Sequence, residues 1–185
     1  MSITYFHTMK SLITLFLLVL GYSALAQENI EWMSWNEAIE KNAVEQKVIF
    51  VDVYTNWCGW CKKMDATTFK NADVVEYMNE NYYAVKFNAE MRDTINFNGQ
   101  QFVNESKGKR GAHQLAVALL DGRMSYPSYA FIGQPFDKTV APGYMGAKDF
   151  SCVIKYFVEG ATTGKTFEDF KAAGCAVAAV EKVED

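Results

Sequence analysis

The sequence predicts an α/β domain: a central mixed β-sheet flanked by helices. Three observations carry this. Val48-Ile49-Phe50-Val51-Asp52-Val53-Tyr54 is almost continuously apolar and rich in β-branched residues, as expected of a central strand covered on both faces. Further strand-like runs at 82–87 and 128–132 alternate with helical patterns. Half of the 185 residues are apolar and 15% are aromatic, enough to fill one core. The composition argues against a disordered chain, a collagen or a disulfide-dense miniprotein. A net charge of -4 with no basic block argues against nucleic acid as a partner.

The chain opens on its one long apolar stretch, so a polytopic membrane protein is not expected. Lys10, the run 12–20 and Ala24-Leu25-Ala26 have the charge, length and small residues of a secretory signal peptide, cut near Ala26. Residues 1–26 are therefore expected to be removed, and the product to be periplasmic or secreted without stable membrane insertion. An uncleaved anchor is the alternative, and the run is short for one. Outside the cytoplasm, thiol pairs persist as disulfides.

Ser34-Trp35-Asn36-Glu37 is a capping box, followed by apolar residues at helical spacing to Ala43. After the central strand, Cys58 to about Phe69 reads as a helix, and Asp73 to Asn81 as another. Tyr82 to Phe87 is the second strand. Residues 91–110 are polar, show no clear period, and read as an insertion or mobile loop. His113 to Leu120 reads as a helix closed by Asp121-Gly122. Ser128 to Ile132 is the third strand, directly after Pro127, and Lys138 to Ala141 a fourth. Asp149 to Glu159 is amphipathic, with Phe150, Val153, Ile154 and Phe157 on one stripe. A linker at 160–165 precedes a helical tail, giving a domain at 27–160 and a tail at 161–185.

Trp57-Cys58-Gly59-Trp60-Cys61 stands where a strand gives way to a helix. A cysteine at a helix N-terminus faces free N–H groups and the positive end of the macrodipole, so its thiolate is favoured. The second cysteine, one turn later, can resolve a mixed disulfide formed by the first. Alone, C-x-x-C is ambiguous. Zinc would need four ligands, and Cys152 and Cys175 form no second close pair. Haem attachment wants His after the second cysteine, where Lys62 stands. A static structural disulfide remains open, but gives no reason for Trp57, Gly59 and Trp60 to cluster there.

The stretch Val51-Asp52-Val53-Tyr54-Thr55-Asn56-Trp57-Cys58-Gly59-Trp60-Cys61-Lys62, with the element order, resembles the active-site strand and helix of thioredoxins. Continued through Lys63-Met64-Asp65 and Thr68-Phe69, it is most similar to the C-terminal thioredoxin-like domain of the transmembrane thiol:disulfide interchange protein. The resemblance covers roughly residues 45–157. It implies a thioredoxin-like fold, with an insertion before the helix that leads to a cis-proline. It implies Cys58 as attacking and Cys61 as resolving cysteine. Asp52, six residues before Cys58, matches a buried carboxylate that handles the proton of Cys61. Lys86 matches that carboxylate's lysine neighbour. Tyr126-Pro127 matches the cis-proline segment, which would bind a partner peptide together with Trp57 and Trp60. The plainer readings are a strand-edge Asp52, an outward Lys86, a trans Pro127, and tryptophans packed on the loop before Pro127. The Gly-Trp dipeptide differs from thioredoxin's Gly-Pro, so the direction of electron flow does not carry over.

Cys152 lies off the apolar stripe of its helix, and Cys175 follows Gly174 in the tail. They either pair and staple the tail to the domain or remain two partly buried thiols. The sequence thus points to an exported thiol–disulfide oxidoreductase of cell redox homeostasis. Its partners are protein disulfides or dithiols and an upstream redox partner, for which a membrane electron carrier is the candidate. The dithiol holds the electrons, so no dissociable cofactor and no metal are expected. The alternative is a binding module for envelope proteins with little turnover.

Overall fold

The computed structural model describes residues 29–108, 110–133 and 136–176. The signal-like segment 1–26 and the last nine residues of the tail lie outside them. Five strands form one mixed sheet: β1 (Trp32–Met33), β2 (Val48–Tyr54), β3 (Tyr82–Asn88), β6 (Ser128–Gly133) and β7 (Phe136–Pro142), in the order β1-β3-β2-β6-β7. β1, β3 and β2 run parallel, whereas β6 is antiparallel to β2 and to β7. Two residues in β1 are too few to show a period, so sequence patterning does not reveal this edge.

Period-two alternation splits the central strand between two cores. Phe50, with Tyr82, Ala84, Tyr129 and Phe131, faces α2 (Gly59–Ala66), α3 (Ala72–Asn81) and α5 (Ala147–Lys155). Ile49, Val51 and Val53, with Val85, Phe87 and Ala130, face α1 (Trp35–Val44) and α4 (Gln114–Leu119). Phe50 is fully buried and within 6.3 Å, centre to centre, of six other rings. Asp52 shares the Phe50 face, so a carboxylate enters an aromatic core.

The capping box forms: Ser34 Oγ accepts from Glu37 N, and the Glu37 carboxylate accepts from Ser34 N. The helix expected from Cys58 to Phe69 breaks after Ala66 into a 3-10 turn at Thr68–Lys70. The segment expected to lack period holds a hairpin, β4 (Ile95–Phe97) and β5 (Gln100–Phe102). Asn98 and Gly99 make its two-residue turn, both with positive φ (50° and 75°).

Beyond α5 the chain widens into a π turn at Tyr156–Gly160, where the helix was expected to run on to Glu159, and a 3-10 turn at Ala161–Thr163, within the expected linker. The tail contributes a short helix, α6 (Phe167–Ala172), whose Phe170 is fully buried against Tyr156. Cys175 adopts φ 61°, past the end of that helix. Its sulfur is bonded to Cys152. Cys152 is 4% exposed although it lies off the apolar stripe, because the tail covers that flank.

Candidate active site

The strand β2 ends at Tyr54, and Cys58 caps α2. Cys58 N donates to Thr55 O (3.1 Å), which turns the chain from strand to helix. Cys58 Sγ accepts from Cys61 N at 3.0 Å. The structure bonds the two sulfurs, with their Cα atoms 5.3 Å apart. A thiolate on Cys58 would receive the same N–H bond and the field of the helix end, both of which favour negative charge there. Cys58 and Cys61 are buried, whereas Trp57 and Trp60 are 52% and 55% exposed.

Asp52 is 1% exposed and stands opposite Lys86 in the β2–β3 register. Lys86 Nζ lies 2.8 Å from Asp52 Oδ2 and also contacts Asp65 of α2. Asp65 follows Cys61 by one helical turn, on the same face. Lys86 therefore ties the helix that carries Cys61 to the strand that carries Asp52. Among the described residues neither Asp52 oxygen has a hydrogen-bond donor besides the Lys86 ammonium, which is the main compensation for its burial. Burial pushes the Asp52 carboxyl up to about 6, against the lowering effect of Lys86. For Lys86 burial favours the neutral form, but the charges and hydrogen bonds of Asp52 and Asp65 outweigh it and raise its pKa. The lysine stays charged while the carboxyl titrates near neutrality.

The Tyr126–Pro127 bond is cis. Tyr126 packs edge-on against Trp57, ring centres 5.8 Å apart, so the proline segment and the cysteine motif share one surface. Trp60 meets Tyr144 on the other flank, at 5.1 Å. Cys152 of α5 and Cys175 of the tail are bonded to each other and take no part in this surface. His113 is fully buried; its Nδ1 accepts from Leu115 N and so caps α4, and its Nε2 meets Asp93 O, so both nitrogens have partners. Among the described residues no three His, Cys, Asp or Glu side chains gather to hold a metal.

Sequence reasoning did not give Glu90, Arg110, Lys63 or Tyr144 a role. Glu90 accepts from Trp57 Nε1 (2.9 Å), and the Arg110 guanidinium lies 5.3 Å from the Trp57 ring centre. Both residues sit far from Cys58 in sequence and carry no local motif.

The fold is shared with a thioredoxin from Thermus thermophilus (TM-score 0.53, 12% identity, 74% of this chain and 94% of that one). It is also shared with a proposed disulphide-isomerase from Bacteroides thetaiotaomicron (TM-score 0.50, 26% identity, 74% and 98%). Over 87 residues the chain is 32% identical to uncharacterized protein B0495.5 of Caenorhabditis elegans, covering 46% of this chain and 12% of that one. It is 30% identical to spermatogenesis-associated protein 20 of Rattus norvegicus, covering 46% and 11%. The matched stretch is thus about an eighth or less of these relatives' length. The family model Thioredox_DsbH, described as a protein of unknown function, DUF255, matches residues 21–151. A strand, a capped C-x-x-C helix and a proline segment in thioredoxin order, together with a match over most of its length, make this chain a member of the Thioredox_DsbH family.

Proposed function

We propose that this chain is an exported thiol–disulfide oxidoreductase that exchanges disulfides with protein partners. The observation that carries the reading is the arrangement at α2. Cys58 caps the helix and accepts the Cys61 amide, while Asp52 lies buried and short of donors on the strand that Lys86 ties to that helix.

In the reducing direction, Cys58 thiolate attacks one sulfur of a partner disulfide. A Cys58–partner bond forms, and the other partner sulfur leaves as thiolate. Asp52 carboxylate takes the proton of Cys61; Cys61 then attacks Cys58 Sγ and releases the second partner thiolate. The partner gains two electrons, and the protein ends as the Cys58–Cys61 disulfide. Run backwards, the same steps oxidise a dithiol. An upstream redox partner resets the pair, and a membrane electron carrier would suit an exported protein. No dissociable cofactor enters these steps. Export rests on the signal-like pattern around 10–26; among the described residues no helix is long and apolar enough to cross a membrane.

Trapping tests the reading. The Cys61→Ser variant should accumulate mixed disulfides through Cys58 with a disulfide-bonded protein, and the wild type should turn that protein over with dithiothreitol. No trapped Cys58 adduct and no turnover would overturn the proposal. The broad exposed faces of Trp57 and Trp60 favour a second reading, a module that grips clients. That reading predicts trapping without turnover.

A further inference from the structure

The exchange chemistry does not use the segment between β3 and α4, yet the structure anchors this segment and brings its end to the site. Asn104 is buried and donates to the carbonyls of Glu90 (3.3 Å), Met91 (3.2 Å) and Gly111 (2.6 Å). Arg92 gathers the carbonyls of Asn104, Ser106 and Gly108. At Gly111 a Cβ would lie 1.8 Å from Ser106 Cβ, so only glycine lets the loop close on itself. The result is a braced arm. One end holds the Trp57 indole N–H through Glu90; the other lays the Arg110 guanidinium over the Trp57 ring.

The far flank of Cys58 has the same construction from different parts. Lys63 Nζ lies 5.0 Å from the Trp60 ring centre and 5.2 Å from that of Tyr144. Each of the two exposed tryptophans beside Cys58 therefore carries a cation on its face. Neither Arg110 nor Lys63 forms a salt bridge among the described residues. A guanidinium stacked on a ring keeps its in-plane N–H groups free for a carboxylate. Glu90 keeps its negative charge at the indole edge but makes no ion pair with Arg110 among the described residues, so the guanidinium N–H groups are not taken up by it. The chain as a whole is acidic, at -4, so a pair of unpaired cations bracketing the reactive sulfur is a local departure.

We infer that Arg110, delivered by the arm, and Lys63 are specificity residues. They select extended polypeptide partners that carry carboxylates on both sides of the reacting cysteine. This rests on the exchange reading of Cys58 and adds the chemistry of the partner to it.

Three synthetic peptide disulfides test the inference, identical except for Asp, Asn or Lys on both sides of the cysteine. Their exchange with reduced protein is followed by stopped flow, and hydroxyethyl disulfide serves as an uncharged reference. Exposed charge pairs of this kind support a preference for the Asp over the Asn peptide of about fivefold, with the Lys peptide slowest. The preference should shrink toward unity as salt rises to about 1 M. Arg110→Glu should cut the ratio of Asp to Lys rates, and Arg110→Lys should retain most of it. Gly111→Val, which leaves the cation in the chain but displaces the arm, should lower the ratio as Arg110→Glu does. Ratios are taken within each variant, so a general loss of activity cannot imitate the effect. Equal rates for all three peptides, with hydroxyethyl disulfide still exchanged, would overturn the inference and leave the exchange reading standing. No exchange with any of the four would overturn both.

Discussion

The molecule holds two disulfides in unlike surroundings. Cys58 and Cys61 are separated by three positions and sit at a helix start, above a buried carboxyl that titrates near neutrality and beside exposed aromatic rings. Cys152 and Cys175 are 23 positions apart and join α5 to the tail beside Phe170, a fully buried ring. The first pair has the surroundings that the proposed exchange calls for: a helix end that would favour a thiolate, a buried carboxyl on the adjoining strand and exposed rings beside it. The second has what a staple requires: a long closed loop and a packed neighbour. On the proposed function, the same bond is exchanged in one place and kept in the other because of what surrounds it.

The largest expected contrast is in turnover. Cys58→Ser should reduce disulfide exchange to the uncatalysed background, since the nucleophile is gone. Cys175→Ser should leave exchange close to wild type. Both are read by the initial rate of protein-disulfide reduction. Loss of activity in Cys175→Ser while the fold is retained would undo the division of labour.

Stability should show the reverse order. The Cys152→Ala/Cys175→Ala double variant opens a long loop and should unfold about 3 kcal/mol more easily in urea at equilibrium. The effect follows the chain-entropy model, so it should appear without change in the pH dependence of exchange.

Asp52 sharpens the comparison through pH. Its carboxyl is raised to about 6 in the folded protein. Between the ordinary carboxylate value near 4 and that figure, the folded state holds a proton the unfolded state has lost. Stability therefore falls as pH rises across this window, by about 3 kcal/mol in all. Asp52→Asn should flatten the window, stabilise the oxidised protein by up to that amount at pH 8, and add nothing at pH 4. It should also slow resolution of mixed disulfides more than their formation. Urea titrations at several pH values and trapping of the Cys58 intermediate would read the two effects. A variant as sensitive to pH between 4 and 6 as the wild type would contradict the assignment of this titration to Asp52.

The smallest expected effect concerns a helix distant from both disulfides. Ser34→Ala removes the N-terminal cap of α1 and should cost about 1 kcal/mol, with no effect on either cystine.

Much of the fold is legible in the sequence because it is written locally. Ser34 and Glu37 announce a helix start within four residues, and the run 48–54 needs only its own composition to read as a central strand. The C-x-x-C motif is equally self-contained. The hairpin at 95–102 carries a strong two-residue signal, Asn98-Gly99, with Ile95, Phe97 and Phe102 around it. Asn96, Gln100 and Gln101 dilute its alternation until it reads as polar loop. Cys152 looks poorly placed on its own helix because the segment that buries it is the distant tail. Glu90 and Arg110 are illegible for the same reason: only the closure of the arm at Gly111 brings them to Trp57. The partner of Lys86 depends on register, which pairs it with Asp52 across the parallel strands, while its second partner, Asp65, comes from the overlying helix.

The most direct test of the account is a redox titration resolved by disulfide. The protein is equilibrated in buffers of stepped potential, quenched, alkylated and mapped by mass, so that each cystine reports separately. Cys58–Cys61 should reduce within the range of exchanging pairs, between about −270 and −120 mV. Cys152–Cys175 should stay oxidised to below about −300 mV, as structural disulfides do. Reduction of Cys152–Cys175 before Cys58–Cys61, or of both at one potential, would contradict the account.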